Sequence, residues 1–148
     1  MSVPRLTRAD IVAAAAAWLG TPYHHQASLR GVGCDCLGLV RGIWRDLHGC
    51  EPETPPPYSP HWAESTAEES LALAALRHLR PVGSASMAPG DVLLFRWRAD
   101  LPAKHCAILS APGRMIHAHD GAQVAEVAFT PWWRRHLSHV FSFPEIAD

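Results

Sequence analysis

Hydrophobic residues change their rhythm partway along the chain. Before about residue 80 they recur at the three-to-four-residue spacing of a helix face; from Pro89 onward they gather in short runs cut by turn residues. The first pattern predicts a helix over about Thr7 to Leu19. Thr7 with Asp10 three residues later marks its start, alanines supply propensity, and Gly20-Thr21-Pro22 stops it. After a polar loop from Thr21 to Gly33, Leu39, Val40, Ile43, Trp44 and Leu47 share one face. They predict a second helix from about Cys36 to Leu47, with Asp35 at its N-cap. Five prolines between Glu51 and Pro60 exclude a helix interior or a central strand there. A third helix is expected from Ser65 or Thr66 to Leu79, since Ser65 with Glu68, or Thr66 with Glu69, forms a capping box.

The second pattern predicts strands at Val92 to Trp97, Cys106 to Ser110, Met115 to Ala118, Val124 to Phe129 and Val140 to Phe143. Pro89-Gly90-Asp91, Ala111-Pro112-Gly113 and Asp120-Gly121 supply the turns. Helices first and strands later, without βαβ alternation, give an α+β fold with N-terminal helices packed on an antiparallel sheet.

Composition narrows this picture. A length of 148 residues suits one domain, 1–148. With 48% hydrophobic and 18% charged residues the chain is globular, and no apolar run approaches the roughly 20 residues of a membrane span. A formal charge of −1 leaves no basic field for nucleic acid, and the cluster from Trp132 to Arg135 is too small to make one. Neither nucleic acid nor membrane is expected as a partner. Arg5 and Arg8 precede the apolar run from Ile11 to Leu19 as in a signal peptide, but Asp10 intervenes, so no signal peptide is expected. The chain is then made in the cytoplasm with its thiols reduced.

The candidate chemistry lies in Gly33-Cys34-Asp35-Cys36, which reads as a metal clip, a disulfide or one reactive thiol beside a bystander. If Asp35 caps the helix, Cys36 occupies the first turn, where unpaired N–H groups and the helix dipole favour a thiolate. Its own N–H is also a candidate oxyanion donor. The same position suits a merely buried thiol. His105 and His117 fall at or on neighbouring predicted strands, and antiparallel pairing would bring them together. A cysteine at a helix start, a histidine on a strand and a polar residue orienting it can form a thiolate and later protonate a leaving amine. A Cys34–Cys36 disulfide would close a very tight ring and block that nucleophile. A Cys-x-Cys zinc half-site falls outside the usual spacing, although His24, His25 and His119 offer further ligands. No metal and no cofactor are expected. Cys34, Cys50 and Cys106 read as buried thiols.

Asp35-Cys36-Leu37-Gly38-Leu39-Val40, Pro89-Gly90-Asp91-Val92-Leu93-Leu94-Phe95, His105-Cys106-Ala107-Ile108 and Ile116-His117-Ala118 resemble the ordered motifs of the NlpC-type cell-wall cysteine peptidases. The resemblance runs from Gly20 to about Phe143. In brevity and in the doubled Cys-Asp-Cys, the chain is most similar to short members encoded with phage and gene-transfer-agent tail genes. The family implies a papain-like fold and cleavage of peptidoglycan stem peptides, commonly between γ-D-glutamate and meso-diaminopimelate. By motif, Cys36 is the nucleophile, His105 the base and His117 the residue orienting it. Tyr23 matches a tyrosine lining the nucleophile's site, a candidate for substrate binding or the oxyanion. Asp35 matches an aspartate that helps bind a free stem amine. Leu37 departs from the usual serine, which loosens the expected need for that amine.

The resemblance also implies tail or tail-tip proteins as partners and action in the periplasm after delivery on a virion or tail. Four other readings use the same residues: an N-acetylmuramoyl-L-alanine amidase, a cytoplasmic stem-peptide recycling enzyme, a thiol acyltransferase with an apolar acyl channel, and an inactive structural tail-tip protein. Trp132 and Trp133 are candidate docking residues.

Overall fold

The computed structural model describes residues 5–53, 55, 69–119 and 121–148. Helix α1 (Arg8–Ala16) begins at Thr7, whose hydroxyl accepts the Asp10 N–H while the Asp10 carboxylate accepts the Thr7 N–H, as the sequence spacing predicts. It ends three residues before the expected Leu19 and unwinds through turns to Gly20, which takes a left-handed φ of 87°. Strands β1 (Ser28–Leu29) and β2 (Gly33–Cys34) form a small antiparallel ribbon inside the segment read as loop. Helix α2 (Cys36–His48) follows directly, capped by Asp35 and ended by Gly49 at φ 84°. The C-cap leaves Cys50 beyond the helix and exposed, which corrects its reading as a buried thiol.

Helix α3 (Ser70–His78) ends one residue before the predicted Leu79. The expected capping box and most of the proline segment lie outside the described residues. The remaining elements are β3 (Arg80–Val82), β4 (Val92–Phe95), β5 (His105–Ala111), β6 (Arg114–His117), β7 (Ala125–Ala128), α4 (Pro131–His136) and β8 (Leu137–Ser142). Neither β3 nor α4 is among the predicted elements. For α4 the signals are nonetheless present: Thr130 caps it, accepting the Trp133 N–H, and Pro131 occupies its first turn.

Six strands pair antiparallel in the order β3-β8-β4-β5-β6-β7, the α+β arrangement expected. Alternation along β4 and β5 sorts side chains onto two faces. Val92, Leu94, Cys106 and Ile108 pack toward Ile11, Trp18, Leu39 and Ile43 of the α1–α2 layer. Leu93, Phe95, Ala107 and Leu109 form the other face, covered by Phe129, Trp133 and Leu137. Both faces of these central strands are therefore buried. Gly42 is required where α2 crosses α1, because a Cβ there would collide with the Trp18 ring. The predicted Pro-Gly-Asp turn locks α1 to the sheet: Arg8 Nη1 donates to the fully buried Asp91 carboxylate at 2.6 Å.

Candidate active site

Asp35 sets the geometry of the helix start. Its Oδ1 accepts the Gly38 N–H at 2.7 Å and its Oδ2 accepts the Gln26 N–H at 2.8 Å, so one carboxylate ties the preceding loop to the first turn of α2. The residue is only 3% exposed. Gly38 belongs to the same construction, since a Cβ on it would strike the Ala27 carbonyl.

Cys36 is the first residue of α2 and half-buried, its Sγ 3.8 Å from the Lys104 carbonyl oxygen. Two partners from β5 meet it. The Cys106 Sγ lies 3.1 Å from the Cys36 carbonyl oxygen, and its one proton serves that oxygen or, once Cys36 is ionised, the Cys36 Sγ. Hydrogen bonding from that thiol, and next from His105, holds the Cys36 thiol well below its ordinary range against the opposing effect of burial. The Cys106 thiol is driven up by the same pairing and by burial, so the proton stays on Cys106.

Cys34, two residues away, behaves oppositely. It is fully buried, and burial, reinforced by the Asp35 and Cys36 charges, pushes its thiol up to about 12. It is the buried bystander that the sequence allows. Among the described residues it joins no group of metal-ligand spacing with His24, His25 or His119.

Strand pairing brings the histidines together. His105 opens β5, opposite Phe95 of β4, and His117 ends β6, the next strand. Their Nε2 and Nδ1 atoms lie 2.9 Å apart, with the residues 5% and 6% exposed. Because Nε2 of His105 faces His117, Nδ1 is the nitrogen left for the Cys36 thiol. Burial, and then the charges of His105 and His119, lower the His117 pKa to about 3. His117 is thus neutral at physiological pH, and its Nδ1 can accept the N–H of His105 Nε2.

Sequence reasoning missed the aromatic wall around these rings. Trp97 and Trp133 stack against His105 at centroid distances of 5.5 and 5.6 Å, and Trp133 meets His117 edge-on at 5.3 Å. Trp133, read as a docking residue, is half-buried in the site; Trp132 stays 46% exposed. Tyr23 is half-buried two residues after Thr21, bridged in parallel to Cys34, with its N–H donating to the Ala122 carbonyl at 3.0 Å. That places its backbone beside the strand leading into Cys36.

A thiol at a helix N-terminus facing histidines on an antiparallel sheet defines a papain-like arrangement. The sequence profile of the NlpC/P60 family matches residues 20–142, and the chain belongs to that family. Among solved structures, the NlpC/p60 domain of the peptidoglycan hydrolase SagA superposes with a TM-score of 0.65 at 22% identity, covering 93% of this chain and 100% of that one. An NlpC/P60 family protein from Bacillus cereus gives 0.69 at 21%, covering 96% of this chain and 42% of that one, so the chain spans less than half of that protein. RipD from Mycobacterium tuberculosis, described as a non-catalytic NlpC/p60 domain protein adapted to peptidoglycan binding, gives 0.53 at 16%, covering 93% and 98%. At these identities the neighbours establish the fold. No curated protein sequence matches the chain.

Proposed function

We propose that the chain is a cysteine peptidase that hydrolyses peptidoglycan stem peptides, with Cys36 as nucleophile, His105 as base and His117 as the residue orienting it. The observation that carries the reading is the 2.9 Å contact between His105 and His117, with His105 also hydrogen-bonded to the depressed Cys36 thiol. In that arrangement the thiolate attacks the scissile carbonyl, and Nδ1 of the His105 imidazolium delivers its proton to the leaving amine. Neutral His117 accepts from Nε2 and keeps the ring aimed. The Cys36 N–H at the start of α2 lies outside the helical ladder and serves the developing oxyanion. RipD illustrates that this fold also serves binding without catalysis; the assembled thiol and histidines support catalysis here.

The bond proposed is γ-D-glutamyl–meso-diaminopimelate in intact, glycan-linked stems. Leu37 offers no hydroxyl for a free stem amine, and both Asp35 oxygens already accept backbone N–H groups. A site not built around an amine discriminates weakly against stems that lack one. We place the enzyme on a phage-type tail, acting locally in the periplasm with tail-tip proteins as partners. Digestion of purified sacculi, read by mass spectrometry, is expected to release diaminopimelate-containing peptides and leave L-Ala-D-Glu on the glycan. Release of whole stems starting at L-alanine identifies an amidase; activity confined to free stem peptides identifies a recycling enzyme.

One observation favours a second reading, a thiol acyltransferase. An apolar cavity of about 360 Å³ lies between α2 and α3, lined by Val40, Trp44, Leu71 and Leu79 and reaching Leu37 and Cys106 beside the nucleophile. Trapping of a long-chain acyl thioester on Cys36, with sacculi left uncut, would establish that reading instead.

A further inference from the structure

His119 takes no proton in the proposed Cys36–His105–His117 chemistry, and its charge is the last of the effects lowering His117, after burial and His105; yet it brings a third imidazole to the same place. His105, His117 and His119 each present one ring nitrogen such that all three lie within 4.8 Å of one another. Zn²⁺ bound by histidines at about 2.0–2.1 Å holds its ligand nitrogens roughly 3.3 Å apart in a tetrahedral site. The buried pair, at 2.9 Å, is already near that spacing. His119 follows β6 and is exposed, and its ring already lies 5.6 and 5.5 Å between centroids from those of His105 and His117. Trp133 lies against all three rings, at 5.6, 5.3 and 6.2 Å between centroids, and walls one side. Nitrogen donors of this kind select Zn²⁺ and its transition-metal neighbours over Mg²⁺ or Ca²⁺.

We propose that His105, His117 and His119 form a binding site for a divalent transition-metal cation of the Zn²⁺ class, whose occupation silences Cys36. The silencing rests on the thiol-peptidase reading above, whereas the binding does not. The cation takes the Nε2 lone pair of His105 and the Nδ1 lone pair of His117, and the proton shared between them leaves to solvent. The remaining proton of His105 is then held on Nδ1. That nitrogen can no longer accept the thiol proton, and a neutral metal-bound imidazole is a far weaker acid toward the leaving amine than an imidazolium. No bond to sulfur and no redox step are involved. The fourth position stays open to water, as in three-histidine sites generally.

Zn²⁺ and Co²⁺ titrations of the full chain, of Cys36→Ala and of His119→Ala test this. Cys36→Ala is expected to bind one equivalent as tightly as the unaltered chain, with the visible absorption bands of four-coordinate Co²⁺. His119→Ala is expected to keep metal-free turnover and unfolding temperature. It should weaken binding by at least about tenfold, since loss even of an outer-shell partner costs 10–100-fold, and raise the half-inhibiting Zn²⁺ concentration by the same factor. If His119→Ala does not fold, His119→Gln takes its place. Lost binding in Cys36→Ala with none lost on removing His119 would put the metal on the thiolate and overturn the site, as would no saturable binding by the unaltered chain. Binding that depends on His119 in a protein that cuts no wall peptide would uphold the metal site and sink the hydrolase reading, so the two fail separately.

Discussion

Cys34 and Cys36 stand two residues apart at the start of α2, and their thiols end at opposite extremes. Cys34 is fully buried and pushed up to about 12, while Cys36 is held well below its ordinary range. Across the site, His105 and His117 stand twelve residues apart on separate strands and end 2.9 Å from each other. On the helix side, which thiol stands at the helix start is decided over one turn of chain, by which residue follows the cap. On the sheet side it is decided by strand register, because sliding β6 one residue against β5 would turn His117 to the opposite face. The lesson is that the position of the proposed nucleophile is local whereas its depressed pKa, like the proposed base, comes from β5, so the two sides should fail differently when altered.

The largest expected effect is on the helix side. Cys36→Ala should abolish hydrolysis, whereas Cys34→Ser should retain most of it, and iodoacetamide at neutral pH should label Cys36 first by peptide mapping. Equal loss in both variants would break the contrast. The sheet side comes next and is graded. His105→Ala removes proton transfer, an effect of about 10²–10⁴-fold, while His117→Asn or His117→Gln should keep measurable turnover because an amide still accepts from Nε2. Steady-state rates on sacculi read this directly, and unchanged turnover in His105→Ala would show that another group is the base.

How much of this could be read beforehand follows the same division. The Thr7–Asp10 box, the Asp35 cap and the placement of Cys36 at the helix start were legible because each spans only three or four residues. The alternation of β4 and β5 was legible for the same reason, and the pairing of His105 with His117 followed from the turn between their strands. Trp97 and Trp133 against His105 were not legible, because they arrive from the end of β4 and from α4 and meet only once the sheet is assembled. The Thr130-Pro131 start of α4 is present in the sequence, but six residues are too few to show a helical period. Residue type favours burial for Cys50, but it follows the Gly49 cap that ends α2 and is exposed.

Cys106 is the residue on which the two sides meet, and it yields the smallest and sharpest test. It sits on β5 beside His105, but strand alternation sends its thiol to the opposite face, under the start of α2. There its S–H is the foremost of the groups depressing the Cys36 thiol, ahead of His105. Removing a donor to the charged form raises a pKa, so Cys106→Ala should shift the acid limb of Cys36 alkylation to higher pH. Less thiolate would then be present at any pH below the new midpoint. Cys106→Ser restores an O–H donor and should bring the limb back. The rate of iodoacetamide labelling against pH measures both, with thermal unfolding checking that the fold is kept. A limb unmoved in Cys106→Ala would mean that His105 and the Cys106 backbone N–H hold the thiolate without that side chain.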